Sequence, residues 1–121
     1  MVTPKVFESE YRFLKLLWEN EPIRSGALVE LAGSALGWKP TTVYTVIKRL
    51  AQRGVLENRE SVVRSLVARE QIERAEIEEL VEKKFDGSLP AFVAAFARGR
   101  SLTEGEAEEL KRLIDEMKVS K

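Results

Sequence analysis

Apolar residues recur at helical spacing in three segments of the first half of the chain. Residues 9–20 are predicted to form an amphipathic helix that Ser9 caps and that ends before Pro22. A second helix is expected to begin at Ser25 and to end at Gly37. The third helix is expected to begin at Pro40, because proline suits the first helical position. Its apolar stripe consists of Val43, Val46, Ile47 and Leu50, and Gly54 follows its end.

Short β-prone runs and a second group of helices follow this region. The apolar pairs at 55–56 and 62–63 flank the polar stretch 58–61, a pattern that predicts a small hairpin. From residue 69 the helical pattern returns and continues to Asp86-Gly87. Ser88 is expected to cap a short helix that Gly99 ends, and Thr103 and Glu106 form a capping box for the last helix.

The order of these elements predicts the fold class. Three helices, a two-stranded wing and further helices follow one another as in a winged helix-turn-helix. We therefore expect a mainly α protein with a small β-wing. A winged-helix DNA-binding domain is expected over residues 1–68, and a helical dimerisation domain over residues 69–121.

Composition excludes several classes of function. The 121 residues include neither cysteine nor histidine, which removes disulfides, zinc fingers and Cys- or His-based catalysis. No glycine-rich phosphate loop is present, so neither an enzyme nor a cofactor is expected. The chain starts without an apolar signal segment, and its longest apolar run, 89–97, is about half a membrane span. We expect a cytoplasmic protein that does not insert into membranes.

Charge is balanced overall but divided along the chain. Residues 1–70 carry a net charge of +3 and residues 71–121 a net charge of −3, and the basic excess reaches +5 within 39–69. Such asymmetry suggests one part that meets a polyanion and one part that does not. The many glutamates of the second part alternate with lysines and arginines as ordinary surface charges, so no metal site is expected.

The third helix is the candidate recognition helix, because residues 41–53 contain no acidic side chain that would repel phosphate. Tyr44 and Thr45 are best placed to contact base edges, whereas Lys48 and Arg49 suit phosphates. The first-turn threonines can contact either phosphate or a thymine methyl group. The candidate DNA-contacting residues of this helix are Thr41, Thr42, Tyr44, Thr45, Lys48 and Arg49. The alternative is a solvated helix face without a function.

Two arginines extend this basic region into the hairpin. Arg59 and Arg64 flank its tip, where a wing would straddle the DNA backbone or enter the minor groove. They are equally compatible with a solvated turn.

The last three helices predict a dimer interface. Phe92, Val93 and Phe96 lie among alanines. A winged helix is complete without the last three helices, so these helices provide more apolar surface than a single domain needs to form its core. A dimer presents two recognition helices to two half-sites. The candidate interface residues are Leu80, Phe92, Val93, Phe96, Leu110 and Ile114. The alternative is a monomeric six-helix domain.

Two other classes of function remain open at this point. One is a winged-helix adaptor for protein–protein contacts, which would need an apolar or acidic face on the third helix. The other is a winged-helix regulator that binds a small-molecule effector.

The chain resembles the penicillinase repressor family, which includes the antibiotic-responsive BlaI/MecI branch and the copper-responsive CopY branch. The most specific motif is WKPTTVYTVIKRL at residues 38–50. Further matching segments lie at residues 10–18, 53–56, 85–88, 92–97 and 102–110.

The resemblance implies a homodimeric repressor that binds an inverted-repeat double-stranded DNA operator. Groove contacts then fall on Thr41, Thr42, Tyr44 and Thr45, and backbone contacts on Lys48 and Arg49. The resemblance also implies inactivation by a membrane sensor protease or its effector protease, with Ala95-Phe96 as the scissile pair.

The chain departs from the family pattern in three places. Ala95 stands where the antibiotic-responsive branch has asparagine. The cysteines of the copper branch are missing, which excludes copper sensing through thiolates. The usual wing aromatics are replaced by Val62 and Val63.

Overall fold

Six helices and three short strands follow one another in the computed structural model, which describes residues 3–117. They are α1 (Glu8–Asn20), β1 (Ile23–Arg24), α2 (Ser25–Leu36), α3 (Pro40–Gln52), β2 (Leu56–Arg59), β3 (Val62–Ser65), α4 (Arg69–Phe85), α5 (Leu89–Ala97) and α6 (Glu104–Glu116). This order confirms the expected winged helix with a helical C-terminal region. The chain forms two compact units that divide between Glu79 and Leu80. The functional boundary expected at residue 68 stays a prediction.

The first two helices do not begin with the serine caps expected from the sequence. The residue before α1 is Phe7, whose backbone N–H donates to the Glu10 carboxylate at 3.0 Å. Glu10 thus satisfies a helix-start N–H without a serine hydroxyl. Arg24 precedes α2, and Ser25 is its first residue, with its N–H bonded to the Ser61 carbonyl at 2.8 Å. The expected caps at Ser9 and Ser25 are therefore wrong.

Other predicted helix ends are confirmed. Pro40 opens α3, and Gly37 ends α2 in the left-handed region at φ 71°. The Ser88 hydroxyl accepts from the Ala91 N–H at 3.1 Å, which caps α5. At α6, Thr103 and Glu106 bond to each other's backbone N–H groups, both at 3.1 Å, as a capping box does.

The strands form one antiparallel sheet in the order β1-β3-β2. The predicted hairpin is confirmed, with a two-residue loop at Glu60 and Ser61. Both loop residues have positive φ, 52° and 65°, as the favoured type I′ hairpin turn requires. The sequence did not predict β1, which places a third strand beside the hairpin.

The core of the first unit lies beneath α1, α2, α3 and the sheet. Phe13 is fully buried and stacks on Trp38, with ring centroids 5.6 Å apart. The indole N–H of Trp18 donates to the Val67 carbonyl at 3.0 Å, which ties α1 to the segment after the sheet. The fully buried side chains include Phe13, Leu14, Leu17, Leu28, Val43, Leu50, Val55 and Val63.

The start of α4 packs onto α1 within the same unit. Ile72 is buried in the core, and the Tyr11 hydroxyl donates to Glu73 at 2.7 Å. Arg69 donates to the same carboxylate at 3.0 Å. Burial and the bond to Glu73 raise the pKa of Tyr11 despite Arg69, so the phenol stays protonated as a donor.

The second unit contains the end of α4 with α5 and α6. Phe85 meets Phe92 edge to face at 5.5 Å between ring centroids. Among its described residues only Val81 is buried, so α5 and α6 leave most of their apolar side chains in contact with solvent.

Candidate nucleic-acid interface

The inner face of α3 fixes which side chains point outward. Val43, Val46, Ile47 and Leu50 are buried, as the apolar stripe predicts. The spacing of these four residues turns the remaining positions of the helix away from the core. The outward residues, all exposed, are Thr41, Thr42, Tyr44, Thr45, Lys48 and Arg49. The six predicted DNA-contacting residues of α3 therefore share one solvent-facing surface, which we call the α3 face.

Hydrogen bonding within the α3 face limits what each side chain can offer a ligand. The Thr45 hydroxyl donates to the Thr41 carbonyl at 2.9 Å, which occupies its single hydrogen. Thr45 thus retains acceptor lone pairs and a methyl group, suited to a base amino group or a thymine methyl. Tyr44 is 48% exposed and keeps its phenol at the surface, so it can both donate and accept.

A groove runs between the start of α1 and the α3 face. It encloses about 490 Å³. Ser9 and Trp38 line it together with Thr41, Thr42, Thr45, Val46 and Arg49. Ser9 is therefore not a helix cap but a polar neighbour of the α3 face, a placement that sequence periodicity could not reveal.

A buried carboxylate ties the end of α3 to the start of α1. Glu10 is only 2% exposed, and it accepts a hydrogen bond from the Arg53 guanidinium. A terminal nitrogen of Arg49 lies 4.0 Å from the same carboxylate. Burial alone raises the pKa of Glu10, but the bonds from Arg53 and Phe7, with the two arginine charges, lower it overall. Glu10 is thus held ionised beneath the α3 face.

The two hairpin arginines differ in their surroundings. Arg59 is exposed at the end of β2 beside the loop. Arg64 lies opposite Glu57 across the hairpin, and its Nε is 3.8 Å from that carboxylate. Arg64 therefore lies close to a counter-charge, whereas among residues 3–117 no ion pair involves Arg59.

Sequence reasoning missed Arg24 as a candidate residue. This arginine is exposed in β1, next to the hairpin. A two-residue strand has no periodicity to detect, and Arg24 lies outside the basic segment 39–69.

The predicted interface residues of the second unit are largely open to solvent. Val93 is 55% exposed, Phe96 57% and Ile114 63%. Leu80 and Leu110 are also exposed, whereas Phe92 is half-buried against Phe85. Apart from Phe92, the apolar positions predicted to face a partner protomer are thus not covered within their own unit.

The predicted scissile pair lies inside α5. Ala95 and Phe96 are exposed, and the Arg100 guanidinium lies over the Phe96 ring at 5.1 Å. A peptide bond within a helix must unwind locally before a protease can bind it in extended form.

Residues 3–117 lack two other features. That part of the chain holds no group of three or more acidic side chains placed to bind a metal ion. None of its helices is both long enough and apolar enough to cross a membrane.

Comparison with known proteins identifies a family over nearly the whole chain. The family model described as "Penicillinase repressor" matches residues 7–116. The penicillinase repressor of Bacillus licheniformis is 24% identical, over 98% of this chain and 95% of its own length. The methicillin resistance regulatory protein MecI of Staphylococcus aureus (strain Mu50) is 22% identical, over 93% of this chain and 95% of its own length. A MecI protein of Mammaliicoccus sciuri is 21% identical over the same shares.

Proposed function

The chain belongs to the penicillinase repressor family, and we propose that it represses transcription by binding an inverted-repeat DNA operator as a homodimer, with α3 in the major groove. The observation that carries this proposal is the α3 face. It presents hydroxyls, a phenol and two cations without an acidic residue anywhere in α3. Short polar groups read base edges and cations bind phosphates, so this surface matches the chemistry of a duplex.

The same face argues against the adaptor alternative. A helix that docks on another protein needs exposed apolar area or a charge pattern complementary to that protein. The only large apolar side chain that α3 exposes is Tyr44, whose hydroxyl makes it amphipathic. The α3 face is therefore better suited to nucleic acid.

The second unit supports the dimer. Its large exposed apolar side chains include Val93 and Ile114. Phe96, Leu110 and Leu113 line one groove, and soluble monomers rarely expose a large contiguous apolar patch. A second copy offers the same surface, which is what a twofold interface requires. Two linked recognition helices gain affinity because the second binding step is intramolecular.

Direct binding of duplex DNA tests the proposal. The duplexes are the region upstream of the protein's own gene and a random-sequence duplex of equal length, each measured at two salt concentrations. We expect a dissociation constant of roughly 10⁻⁸ M or tighter for the specific duplex, with a steep decrease in affinity as salt rises. If the operator does not lie in the upstream region, selection of binding sequences from a random duplex pool identifies it. If the selected duplexes bind no more tightly than random ones, the proposal is contradicted.

Two substitutions separate the roles within the α3 face. Tyr44→Ala is expected to change the sequence preference, with a loss of about 1–3 kcal/mol at one or two base positions. Lys48→Ala is expected to weaken all sequences alike and to reduce the salt slope by about 0.9 per protomer. Competition binding against single-base operator variants measures both effects. If the two variants give the same profile, the assigned roles are wrong.

We propose the Ala95-Phe96 bond as the point at which proteolysis would release the operator. The partner would be a membrane sensor protease or its effector protease. The exposure of Phe96 supports access to this bond. Sequencing the flanking genes tests this proposal, because we expect a neighbouring gene for a membrane metalloprotease. Mass spectrometry of the chain from induced cells should show the two fragments on either side of the Ala95-Phe96 bond. An intact chain in induced cells contradicts it. Because the proposed partner is DNA, we also propose that the protein acts in the cytoplasm.

A further inference from the structure

The sheet register aligns two arginines that are far apart in sequence. Arg24 of β1 lies opposite Val62 of β3, and Arg59 of β2 lies opposite the same valine from the other side. Directly opposed residues of an antiparallel sheet project from the same face. Arg24, Val62 and Arg59 therefore form one row across the sheet, which we call the arginine row.

The arginine row lies on the face of the sheet turned away from the core. Val63, next to Val62, is fully buried, so alternation directs Val62 and its two partners to the other side. Arg24 and Arg59 are exposed. Within the described part of the chain neither side chain has a hydrogen bond or an ion pair, whereas Arg64 on the same face lies near Glu57. The row therefore holds two cations that are available to an anion.

The loop of the wing is poorly suited to be the DNA-contacting part. It carries Glu60, whose charge repels phosphate. The Ser61 carbonyl accepts from the Ser25 N–H at 2.8 Å, so the first residue of α2 is held against the loop. The loop is therefore acidic and lies against the start of α2. We expect the arginine-bearing face of the sheet to contact a polyanion more favourably than the loop does.

We propose that Arg24 and Arg59 bind two separate phosphates of the DNA backbone, so that Arg24 extends the DNA interface beyond α3 and the hairpin. This inference rests on the proposed function. Adjacent strands are about 4.8 Å apart, which separates the two backbone positions by about 10 Å across β3. The long guanidinium side chains can therefore reach different phosphates, and each contact releases counterions from the duplex.

Salt-dependent binding of the full chain tests the inference. Arg24→Ala, Arg59→Ala and the double variant are compared with the wild type on a random-sequence duplex and on the selected operator. Arg74→Ala is the matched control, because it removes the same charge from an exposed arginine on α4, where its partner is Glu78. Arg24→Lys keeps the charge. The midpoint of thermal unfolding checks that every variant is folded, and Arg24 makes no side-chain cap bond that α2 would lose.

We expect each single alanine variant to reduce the slope of log affinity against log salt by about 0.9 per protomer, and the double variant by about twice as much. Operator and random duplex should weaken by the same factor, and Arg24→Lys should restore most of the slope. If Arg24→Ala and Arg74→Ala give the same slope as the wild type while the wild type binds its operator, the inference is overturned and the proposed function stands. If the wild type binds no duplex, the proposed function itself fails.

Discussion

Glu10 is a charged residue in a buried position, where apolar side chains are usual. The residue is 2% exposed, and its carboxylate accepts hydrogen bonds from the Phe7 N–H and the Arg53 guanidinium. The pKa of Glu10 is lowered in the folded protein, so the folded state holds this proton less tightly than the unfolded chain does. The stability that the ionised group contributes is therefore fully present above the pKa of an ordinary glutamate, about 4.3, and is lost as the pH falls through the folded value.

We predict that Glu10→Gln lowers the free energy of unfolding by about 1–3 kcal/mol at neutral pH, because it removes the charge that Arg53 faces while keeping an acceptor of similar shape. The difference from the wild type should begin to shrink as the pH falls below about 4.3, the pKa of an ordinary glutamate, and should vanish only below the lowered pKa of the folded state, where Glu10 is protonated. Urea unfolding at a series of pH values measures it. Glu8→Gln, an exposed position in the same first turn, is the control and should change stability little. A pH-independent difference would contradict this role for Glu10.

Replacement of glycine by alanine is expected to have opposite effects on stability at Gly37 and at Gly26. Gly37 ends α2 at φ 71°, whereas Gly26 lies within α2 at an ordinary helical φ. A Cβ added at either position would meet no atom within 4 Å, so backbone conformation alone decides the outcome. Gly37→Ala is expected to destabilise the protein by about 1–2 kcal/mol, and Gly26→Ala to stabilise it by up to about 1 kcal/mol. Thermal or urea unfolding of both variants checks the opposite signs, and a shared sign would contradict the argument.

At the scale of elements, the long periodic segments were predictable and the short ones were not. The stripe of Val43, Val46, Ile47 and Leu50 predicted α3 and its buried face, because four apolar residues at helical spacing specify an orientation. The hairpin was also predictable. Strand β1 was not, since Ile23-Arg24 acquires its extended pairing only from contact with Val62 and Val63.

Helix starts show the same limit. Ser88 and Thr103 cap their helices as predicted, because their partners lie three residues away in sequence. Ser9 and Ser25 do not, because Glu10 bonds to Phe7 and the Ser25 N–H bonds to the distant Ser61. The composition of the α3 face could be predicted from sequence. Its groove beside Ser9 and the alignment of Arg24 with Arg59 could not, because both depend on tertiary contacts.

At the scale of the whole molecule, DNA binding and dimerisation are expected to occupy different units. We predict that Ile114→Asp converts the dimer to a monomer, because it places a charge on the most exposed apolar side chain of α6. Operator affinity should then fall by a factor of about 10² or more, since avidity is lost. Analytical ultracentrifugation and operator binding measure the two effects. Leu66→Asp, an equally apolar exposed position in the first unit, is the control and should leave the dimer intact. A wild-type chain that sediments as a monomer at micromolar concentration contradicts the dimer.

The double role of Glu10 makes one backbone proton an informative probe. The Phe7 amide donates to the Glu10 carboxylate, and the same carboxylate accepts from Arg53 at the far end of α3. Solvent exchange of that amide should therefore follow the opening of the contact that ties α3 to α1. We expect isotope exchange at Phe7, measured by NMR with and without added duplex, to slow if the proposed DNA binding stabilises the contact between α3 and α1.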